Sequence, residues 1–397
     1  MNTRSFRKFV SAVGVIAILF SVQQVQAYDE IVEKQVFELA SYTTTGGETI
    51  KDVRIGWEAY GTLNEAKDNV ILITHFYSGN SHAAGRYTAE GPAGYWNAII
   101  GSGKPIDTDK YYVVSSDTLV NLGANDPNVI TTGPASINPD TGKPYGMSFP
   151  VVTIRDFVEV QKALLDSLGI DKLHAVVGAS MGALQAYEWA AAYPERVERL
   201  IPVIGSGWAD GDLIAWLNIW SAPIKLDPNW NGGDYYDGEP PLQGLAESLK
   251  IVTLQANHWK WSNSVFGRAW AKDGADPAAS FDNLFRIEAV LDGAGQARAK
   301  TSDANHFLYL AKANQLFYAG HGETLYEGLR AITAPTLIIH SDDDLLFPPA
   351  AIRETAAMIR SGGAPVDVVG IQAGRGHLDG VLAISQAGAQ IEAFLAR

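Results

Sequence analysis

The sequence predicts an α/β fold in which a mostly parallel sheet is covered by helices on both faces and carries one helical insertion. Three observations support this fold. Short apolar runs recur without polar alternation, as expected of strands that are buried on both faces. Helical patterns lie between several of these runs, and alternating strands and helices favour parallel strands joined by crossovers. A long stretch near the middle breaks this rhythm and contains no clear strand.

Six apolar runs are predicted to be core strands, and two earlier segments are predicted to be strands added at the sheet edge. The core runs are residues 70–75, 111–115, 173–177, 200–204, 335–340 and 366–371, and the edge segments are residues 35–39 and 53–59. Two helices are predicted between core strands, over residues 153–168 and from about Gly182 to Pro194. In the first of these helices, Phe157 and Leu164 lie on one apolar stripe.

Residues 206–329 form the predicted insertion, a helical cap between two parts of the core, residues 28–205 and 330–397. The stretch is rich in tryptophan and in helical patterns, and it has a turn region of Gly, Asp and Pro at residues 227–241. A cap in this position would cover a site at the carboxyl edge of the sheet and shape its substrate pockets. The alternative, in which the tryptophans only pack the insertion together, stays open.

Residues 1–27 have the pattern of a secretory signal peptide. Three basic residues lie within the first eight positions, an apolar run follows from Phe9 to Val22, and Val25-Gln26-Ala27 fits a small-x-small cleavage site. The apolar run is shorter than the roughly 20 residues that a bilayer span needs. We therefore expect an exported protein, periplasmic or secreted, without stable membrane insertion. An uncleaved membrane anchor is the alternative.

Composition excludes several classes of function. The 397 residues carry a formal net charge of −14 and no run rich in Lys or Arg, which argues against a nucleic-acid partner. The chain has no cysteine, and this excludes disulfides, thiolate nucleophiles and cysteine-ligated zinc. No metal or cofactor is expected, and the expected partner is a small molecule.

The strongest local motif is Gly178-Ala179-Ser180-Met181-Gly182, which fits G-x-S-x-G. It directly follows a predicted strand and directly precedes a predicted helix, and this is the setting of the nucleophile elbow in the α/β-hydrolase fold. The tight turn leaves no room for side chains at the two glycines. Ser180 is therefore predicted to be a nucleophile at a helix N-terminus, where developing negative charge is favoured. A glycine-rich connection with a structural serine is the alternative.

A serine hydroxyl needs a base, and in this fold the chain order is Ser, then acid, then His. Two histidines follow the predicted cap, His340 at a strand end and His377 in a glycine-rich loop after the last strand. The loop position favours His377 as the base. His75 is a weaker alternative because it precedes Ser180 in the chain.

The acid is expected in the loop after the strand at residues 335–340. Asp342, Asp343 and Asp344 are the candidates, and Asp344 is preferred because Pro348 follows it at a D-x-x-x-P spacing into the next helix. Its role would be to fix the tautomer of the imidazole and to stabilise the imidazolium. A helix N-cap or a cation site remains the alternative for this acidic run.

An oxyanion hole requires two backbone N–H groups that point at the tetrahedral intermediate. Met181, the residue after the nucleophile, supplies one of them. The other is expected from the loop that follows the strand at residues 70–75, and the N–H of Tyr77 is the candidate. Its neighbour Phe76 is a candidate for the substrate pocket.

Longer segments resemble the homoserine O-acetyltransferase family over nearly the whole chain after residue 27. These segments are residues 60–64, 78–82, 101–110, 132–139, 145–150, 178–182, 227–236 and 341–349. The resemblance implies a triad of Ser180, Asp344 and His377 with Tyr77 in the oxyanion hole. It also implies that two copies of the chain could pair through the cap.

Two departures from the family pattern affect the expected substrate. Family members that acylate homoserine carry an arginine for the substrate carboxylate where this chain has Ser221, beside Trp220. They also carry an aspartate directly after the catalytic histidine, where this chain has Leu378 and then Asp379. These four residues join Phe76 as pocket candidates. Because a bidentate guanidinium is hard to replace, the departures weaken the case for an amino acid acceptor.

The sequence therefore predicts a carboxylic ester hydrolase on a scaffold similar to homoserine O-acetyltransferase. An acyl-enzyme would form on the serine, and water would release the acid. Two alternatives remain open at this stage. One is an O-acyltransferase that uses acyl-CoA, and the other is a non-catalytic binding protein with the same fold. Export favours the hydrolase, because acetyl-CoA is found in the cytoplasm.

Overall fold

A computed structural model describes residues 31–397. The segment predicted to be a signal peptide, residues 1–27, lies outside the described residues. Within residues 31–397, no helix combines the length and the apolar character needed to cross a bilayer.

An eight-stranded sheet forms the centre of the molecule. Its strands are β1 (Gln35–Thr43), β2 (Thr49–Tyr60), β3 (Val70–Thr74), β4 (Tyr112–Ser116), β5 (Ala175–Ala179), β6 (Leu200–Val203), β7 (Thr336–Ser341) and β8 (Val366–Ile371). The spatial order is β1-β2-β4-β3-β5-β6-β7-β8. Strand β2 runs antiparallel to β1 and β4, and all the other pairs are parallel. This confirms the predicted mostly parallel α/β fold.

Helices cover both faces of the sheet, and additional helices follow β6. They are α1 (Ile154–Ser167), α2 (Met181–Ala192), α3 (Gly211–Leu226), α4 (Leu242–Gln255), α5 (Trp259–Val265), α6 (Arg286–Ala299), α7 (Ala304–Gln315), α8 (Glu327–Ala331), α9 (Pro349–Ser361), α10 (Asp379–Leu382) and α11 (Gly388–Leu395). Alternate residues of β3 pack on opposite faces of the sheet. Leu72 belongs to the same buried apolar cluster as Phe157 of α1, whereas Ile71 and Ile73 belong to a second cluster that contains Phe394 of α11.

The chain between β6 and β7 contains α3 to α8. This stretch is fully described and forms no strand; its β-type pairings are two isolated bridges, Trp208 with Tyr318 and Trp270 with Phe285. Its tryptophans differ in environment, because Trp208 is buried and Trp270 is exposed. Helix α3 packs on α4 and α7, and α4 packs on α6. We refer to residues 206–329 as the cap.

Candidate active site

Ser180 lies at a sharp turn between β5 and α2. Its φ of 57° and ψ of −120° are unfavourable for a residue with a side chain, so the turn is strained. The flanking glycines make this turn possible. A Cβ atom at Gly178 would lie 2.0 Å from Oγ1 of Thr74, and one at Gly182 would lie 2.1 Å from the carbonyl oxygen of Thr74. The local sequence therefore presents the serine at the carboxyl edge of the sheet.

His377 brings an imidazole to this serine from the loop after β8. The Oγ–H of Ser180 donates to Nε2 of His377 at 2.8 Å, and Nδ1–H of His377 donates to Oδ2 of Asp344 at 2.8 Å. All three side chains are buried. Residues far apart in sequence thus form one continuous chain of hydrogen bonds. The base can take a proton from the serine while the carboxylate stabilises the resulting imidazolium.

Asp344 is held in place by the backbone that follows it. Its second oxygen, Oδ1, accepts hydrogen bonds from the N–H groups of Leu346 at 2.8 Å and Phe347 at 3.0 Å. The two neighbouring acids face elsewhere. The side chain of Asp342 is 53% exposed, and Asp343 forms an ion pair with Lys260 of the cap at 3.0 Å. Of the three acids, Asp344 is the one that contacts the histidine.

The predicted oxyanion-hole residues are Tyr77, in the loop after β3, and Met181, the first residue of α2. Thr74 of β3 pairs with Gly178 of β5, so the loop after β3 and the turn at Ser180 meet at one sheet edge. Within residues 31–397, the N–H groups of Tyr77 and Met181 have no hydrogen-bond acceptor. Two free donors at this edge can stabilise a tetrahedral oxyanion.

The side chain of Tyr77 anchors the loop to the cap. Its hydroxyl donates to the carbonyl of Phe307 in α7 at 2.7 Å. Its ring packs edge-on against Phe307 and Trp220, with centroid distances of 5.4 and 5.6 Å. The side chain thus has a packing role, and the backbone N–H remains available for substrate.

Comparison with known proteins identifies the family. The pattern that defines the alpha/beta hydrolase fold family matches residues 101–363. A homoserine O-acetyltransferase from Methanosphaerula palustris is 39% identical over 349 residues, which cover 88% of this chain and 70% of that protein. The chain belongs to the homoserine O-acetyltransferase-like family of α/β hydrolases.

Two solved structures of this family share the fold over almost the whole chain. The structure of esterase E22 is 51% identical, with a TM-score of 0.88, and the match covers 92% of this chain and all of that one. The structure of homoserine O-acetyltransferase from Bacillus anthracis is 37% identical, also with a TM-score of 0.88, and the match covers 93% of this chain and 98% of that one. This α/β hydrolase therefore resembles proteins with two different named activities.

His75 supports the loop after β3, which carries Tyr77. It lies outside the hydrogen-bond chain of Ser180, His377 and Asp344 in this α/β hydrolase. Its Nδ1–H donates to the carbonyl of Phe76 at 2.8 Å, and its Nε2 accepts from the amide of Asn121 at 3.2 Å. The same amide donates to the carbonyl of Gly79 at 3.1 Å. Burial lowers the pKa of His75, so the neutral ring is favoured. The structure thus assigns this histidine to loop support.

A buried ionic cluster holds the far end of the same loop, and no sequence motif predicts it. We call it the Glu58 cluster; it contains Lys34, Glu58, Ser81, His82, Tyr87 and Asp117. The carboxylate of Glu58 accepts from Ser81 Oγ and His82 Nδ1, each at 3.0 Å. The available sequence signal was a glutamate within the strand predicted at residues 53–59.

The Glu58 cluster keeps its central carboxylate ionised. Burial alone would raise the pKa of Glu58, but the hydrogen bond from His82 and the charge of Lys34 outweigh it, with a further hydrogen bond from Tyr87. Together they lower this pKa from 4.5 to about 2. The loop that carries Tyr77 is therefore fixed at residues 81 and 82 by a charged anchor.

The predicted pocket residues have different environments in the structure. Phe76 is half-buried and packs edge-on against Tyr95, with a centroid distance of 5.1 Å. Trp220 is buried against Tyr77. Leu378 is half-buried directly after the histidine. The hydroxyl of Ser221 donates to the carbonyl of Leu217 in its own helix at 2.8 Å. The side chain is neutral, so it supplies no positive charge at this position.

The structure contradicts the prediction that Asp379 is a pocket residue. The residue is fully buried, and both carboxylate oxygens accept hydrogen bonds from protein groups. Oδ2 accepts from the Ala373 N–H at 2.9 Å and from Ser341 Oγ at 3.0 Å, and Oδ1 accepts from the Arg375 N–H at 3.0 Å. Asp379 therefore fastens the loop that carries His377 to β7, and neither of its oxygens is left for substrate.

Proposed function

We propose that this protein hydrolyses carboxylic esters through an acyl-enzyme on Ser180. The observation that carries the proposal is the continuous hydrogen-bond chain from Ser180 through His377 to Asp344, with 2.8 Å at each step. Such a chain activates a serine for attack on an acyl carbon.

In the proposed reaction, Ser180 Oγ attacks the ester carbonyl and His377 Nε2 accepts the serine proton. The N–H groups of Tyr77 and Met181 stabilise the oxyanion of the tetrahedral intermediate. The intermediate collapses as the C–O bond to the alcohol breaks and His377 protonates the leaving oxygen. Water then attacks the acyl-enzyme and His377 accepts its proton. The second tetrahedral intermediate collapses as the bond between the acyl carbon and Ser180 Oγ breaks, His377 returns the proton to Oγ, and the carboxylic acid leaves.

Two features support hydrolysis over acyl transfer. The chain is more similar to the protein named esterase E22, at 51% identity, than to the acetyltransferases from M. palustris and B. anthracis, at 39% and 37%. Ser221 also stands where the family resemblance implies a carboxylate-binding arginine, and its hydroxyl is bonded within α3. A neutral side chain there provides no bidentate partner for an amino acid carboxylate.

The test compares hydrolysis and transfer on one preparation. Wild type and Ser180→Ala would be incubated with p-nitrophenyl acetate and butyrate, and separately with acetyl-CoA and homoserine, with products identified by mass spectrometry. We expect wild type to release nitrophenol and Ser180→Ala to fall to the background rate. Formation of O-acetylhomoserine by a wild type that leaves both esters intact would overturn the proposal.

Acyl transfer is the second candidate, and the curated relatives favour it because they are named homoserine O-acetyltransferase. Transfer and hydrolysis share the same acyl-enzyme and differ in whether an alcohol or water attacks it. A non-catalytic binding role is the third candidate. Labelling by a fluorophosphonate probe in wild type, absent in Ser180→Ala, would exclude that role.

We also propose that the protein works outside the cytoplasm. The basic start and apolar run within residues 1–27 support export, and ester hydrolysis needs no coenzyme A. Cell fractionation followed by mass spectrometry of the N-terminal peptide tests this proposal. We expect the exported fraction to begin at Tyr28, and a chain that stays in the cytoplasm with residues 1–27 intact would contradict it.

A further inference from the structure

The loop that carries the catalytic histidine is in direct contact with the cap. We define the histidine loop as residues 372–378 and the cap contact segment as residues 256–261. The N–H of His258 donates to the carbonyl of Arg375 at 3.1 Å, and the N–H of Leu378 donates to the carbonyl of Ala256 at 3.2 Å. The two backbone segments are therefore joined on both sides of His377.

The side chain of Arg375 adds a specific contact to this junction. Its Nε–H donates to Oδ1 of Asn257 at 2.7 Å, and its guanidinium lies 4.8 Å from the ring centroid of Trp261. Asn257 is buried, and its amide donates to the carbonyl of Thr253 at the end of α4 at 2.7 Å. A planar guanidinium can make the hydrogen bond and the aromatic contact together, whereas an ammonium group lacks that geometry.

The backbone of the same residue is fixed to the core. The N–H of Arg375 donates to Oδ1 of Asp379. The other oxygen, Oδ2, accepts hydrogen bonds from Ser341 Oγ of β7 and from the Ala373 N–H. Arg375 thus contacts the core through its backbone N–H, and it contacts the cap through its backbone carbonyl and its side chain. It lies two residues before His377, so a change at either end is transmitted to the imidazole over a very short distance.

We propose that Arg375 is a positioning residue that makes the placement of His377 depend on the docked cap. It acts through the histidine loop and does not touch the reacting atoms. When the Asn257 and Trp261 contacts are present, the loop is held on both sides and Nε2 of His377 stays in hydrogen-bond range of Ser180. Without them, the loop keeps its core contacts and the two backbone hydrogen bonds to the cap, but it loses the side-chain contacts that fix it against Asn257 and Trp261. Misplacement of a catalytic group by about 1 Å costs on the order of 100-fold in rate.

The test uses Arg375→Ala, Arg375→Lys and Asn257→Ala, with Arg268→Ala as the matched control. Like Arg375, Arg268 stands beside an aromatic ring, 5.3 Å from the centroid of Phe285, but it belongs to the cap and lies outside the junction. We expect both Ala variants at the junction to lower kcat by roughly 10- to 100-fold while KM changes by less than threefold. Arg375→Lys should have a kcat between those of Arg375→Ala and wild type, and Arg268→Ala should have the kcat of wild type.

A double variant and a labelling assay complete the test. Because both residues act through one contact, Arg375→Ala with Asn257→Ala should be no slower than Arg375→Ala alone. The rate of fluorophosphonate labelling of Ser180 should fall in parallel with kcat. Multiplicative losses in the double variant, a raised KM with unchanged kcat, or wild-type labelling in all variants would overturn the proposal. Should Arg375→Ala not fold, Arg375→Lys and Asn257→Ala give the same decision.

The inference rests on the proposed function only in requiring a reactive Ser180. Labelling measures activation of that serine without ester turnover. A protein that labels but hydrolyses no ester would therefore contradict ester hydrolysis and still allow the role of Arg375 to be tested.

Discussion

The carboxylate of Asp344 shows how the fold selects one residue among three identical neighbours. Two backbone N–H groups hold one of its oxygens, and His377 binds the other. Sequence spacing identified this residue, but the hydrogen bonds that fix it depend on a turn whose geometry the spacing only suggests. Sequence comparison wrongly predicted Asp379 to be a pocket residue. Its three hydrogen-bond partners lie up to 38 residues away, and none of them is marked by a motif.

We expect Asp344→Asn to lower kcat by about 10³- to 10⁴-fold with little change in the melting temperature. The amide can no longer hold the imidazole in the tautomer that accepts the serine proton. Steady-state kinetics on a nitrophenyl ester measure the loss. Asp342→Asn is the control, since its exposed side chain lies outside the triad, and a comparable loss in that variant would contradict the assignment of the acid.

The β5–turn–α2 element illustrates what apolar patterning can and cannot predict. All eight main strands lie close to their predicted positions. For β3 to β8 the reason is that a buried parallel sheet leaves continuous apolar runs in the sequence. Strand β5 begins two residues later than expected, at Ala175, and Leu173 makes only an isolated bridge to Val197. The sequence predicts that the cap is helical, but it does not predict how the helices pack. Their packing depends on contacts between distant segments.

We expect Gly182→Ala to destabilise the fold by about 3 kcal/mol or more, because the added Cβ would lie 2.1 Å from the carbonyl oxygen of Thr74. Thermal melting measures the change. Gly293→Ala in α6 is the matched control, because its Cβ would meet no atom within 4 Å. That substitution should stabilise the helix by up to about 1 kcal/mol. Equal melting temperatures for the two variants would contradict the steric argument.

Across the whole molecule, the Glu58 cluster joins the edge of the sheet to the active-site loop. Lys34 lies just before β1, Glu58 belongs to β2, and Ser81 belongs to the loop after β3. Sequence reasoning placed β2 and this loop correctly but missed their connection. Charged partners separated by more than 20 residues leave no periodic signal, so such a cluster becomes visible only in three dimensions.

The Glu58 cluster should make the protein sensitive to acid. A carboxylate whose folded-state pKa is lowered stabilises the fold above its ordinary pKa and loses this contribution as pH falls. For Glu58 the window runs from pH 4.5 down to about 2, and the contribution is on the order of 3 kcal/mol. The melting temperature should therefore fall as the pH is lowered from 6 to 2.5.

Glu58→Gln should flatten this acid dependence and lower the melting temperature near neutral pH. Glu38→Gln is the control, because Glu38 is exposed in its pair with Arg54 and surface pairs contribute little. An acid dependence that is the same in wild type and Glu58→Gln would show that other groups cause it.

The strained backbone at Ser180 implies that this protein would be more stable without the serine proposed as its nucleophile. A φ of 57° suits glycine and disfavours residues with a Cβ, at a cost on the order of 1–3 kcal/mol. Ser180→Gly should therefore melt at a higher temperature than the equally inactive Ser180→Ala, which keeps the Cβ. Thermostability and turnover thus compete at a single backbone torsion, and a search for more heat-resistant variants that ignores activity would tend to eliminate the reactive serine.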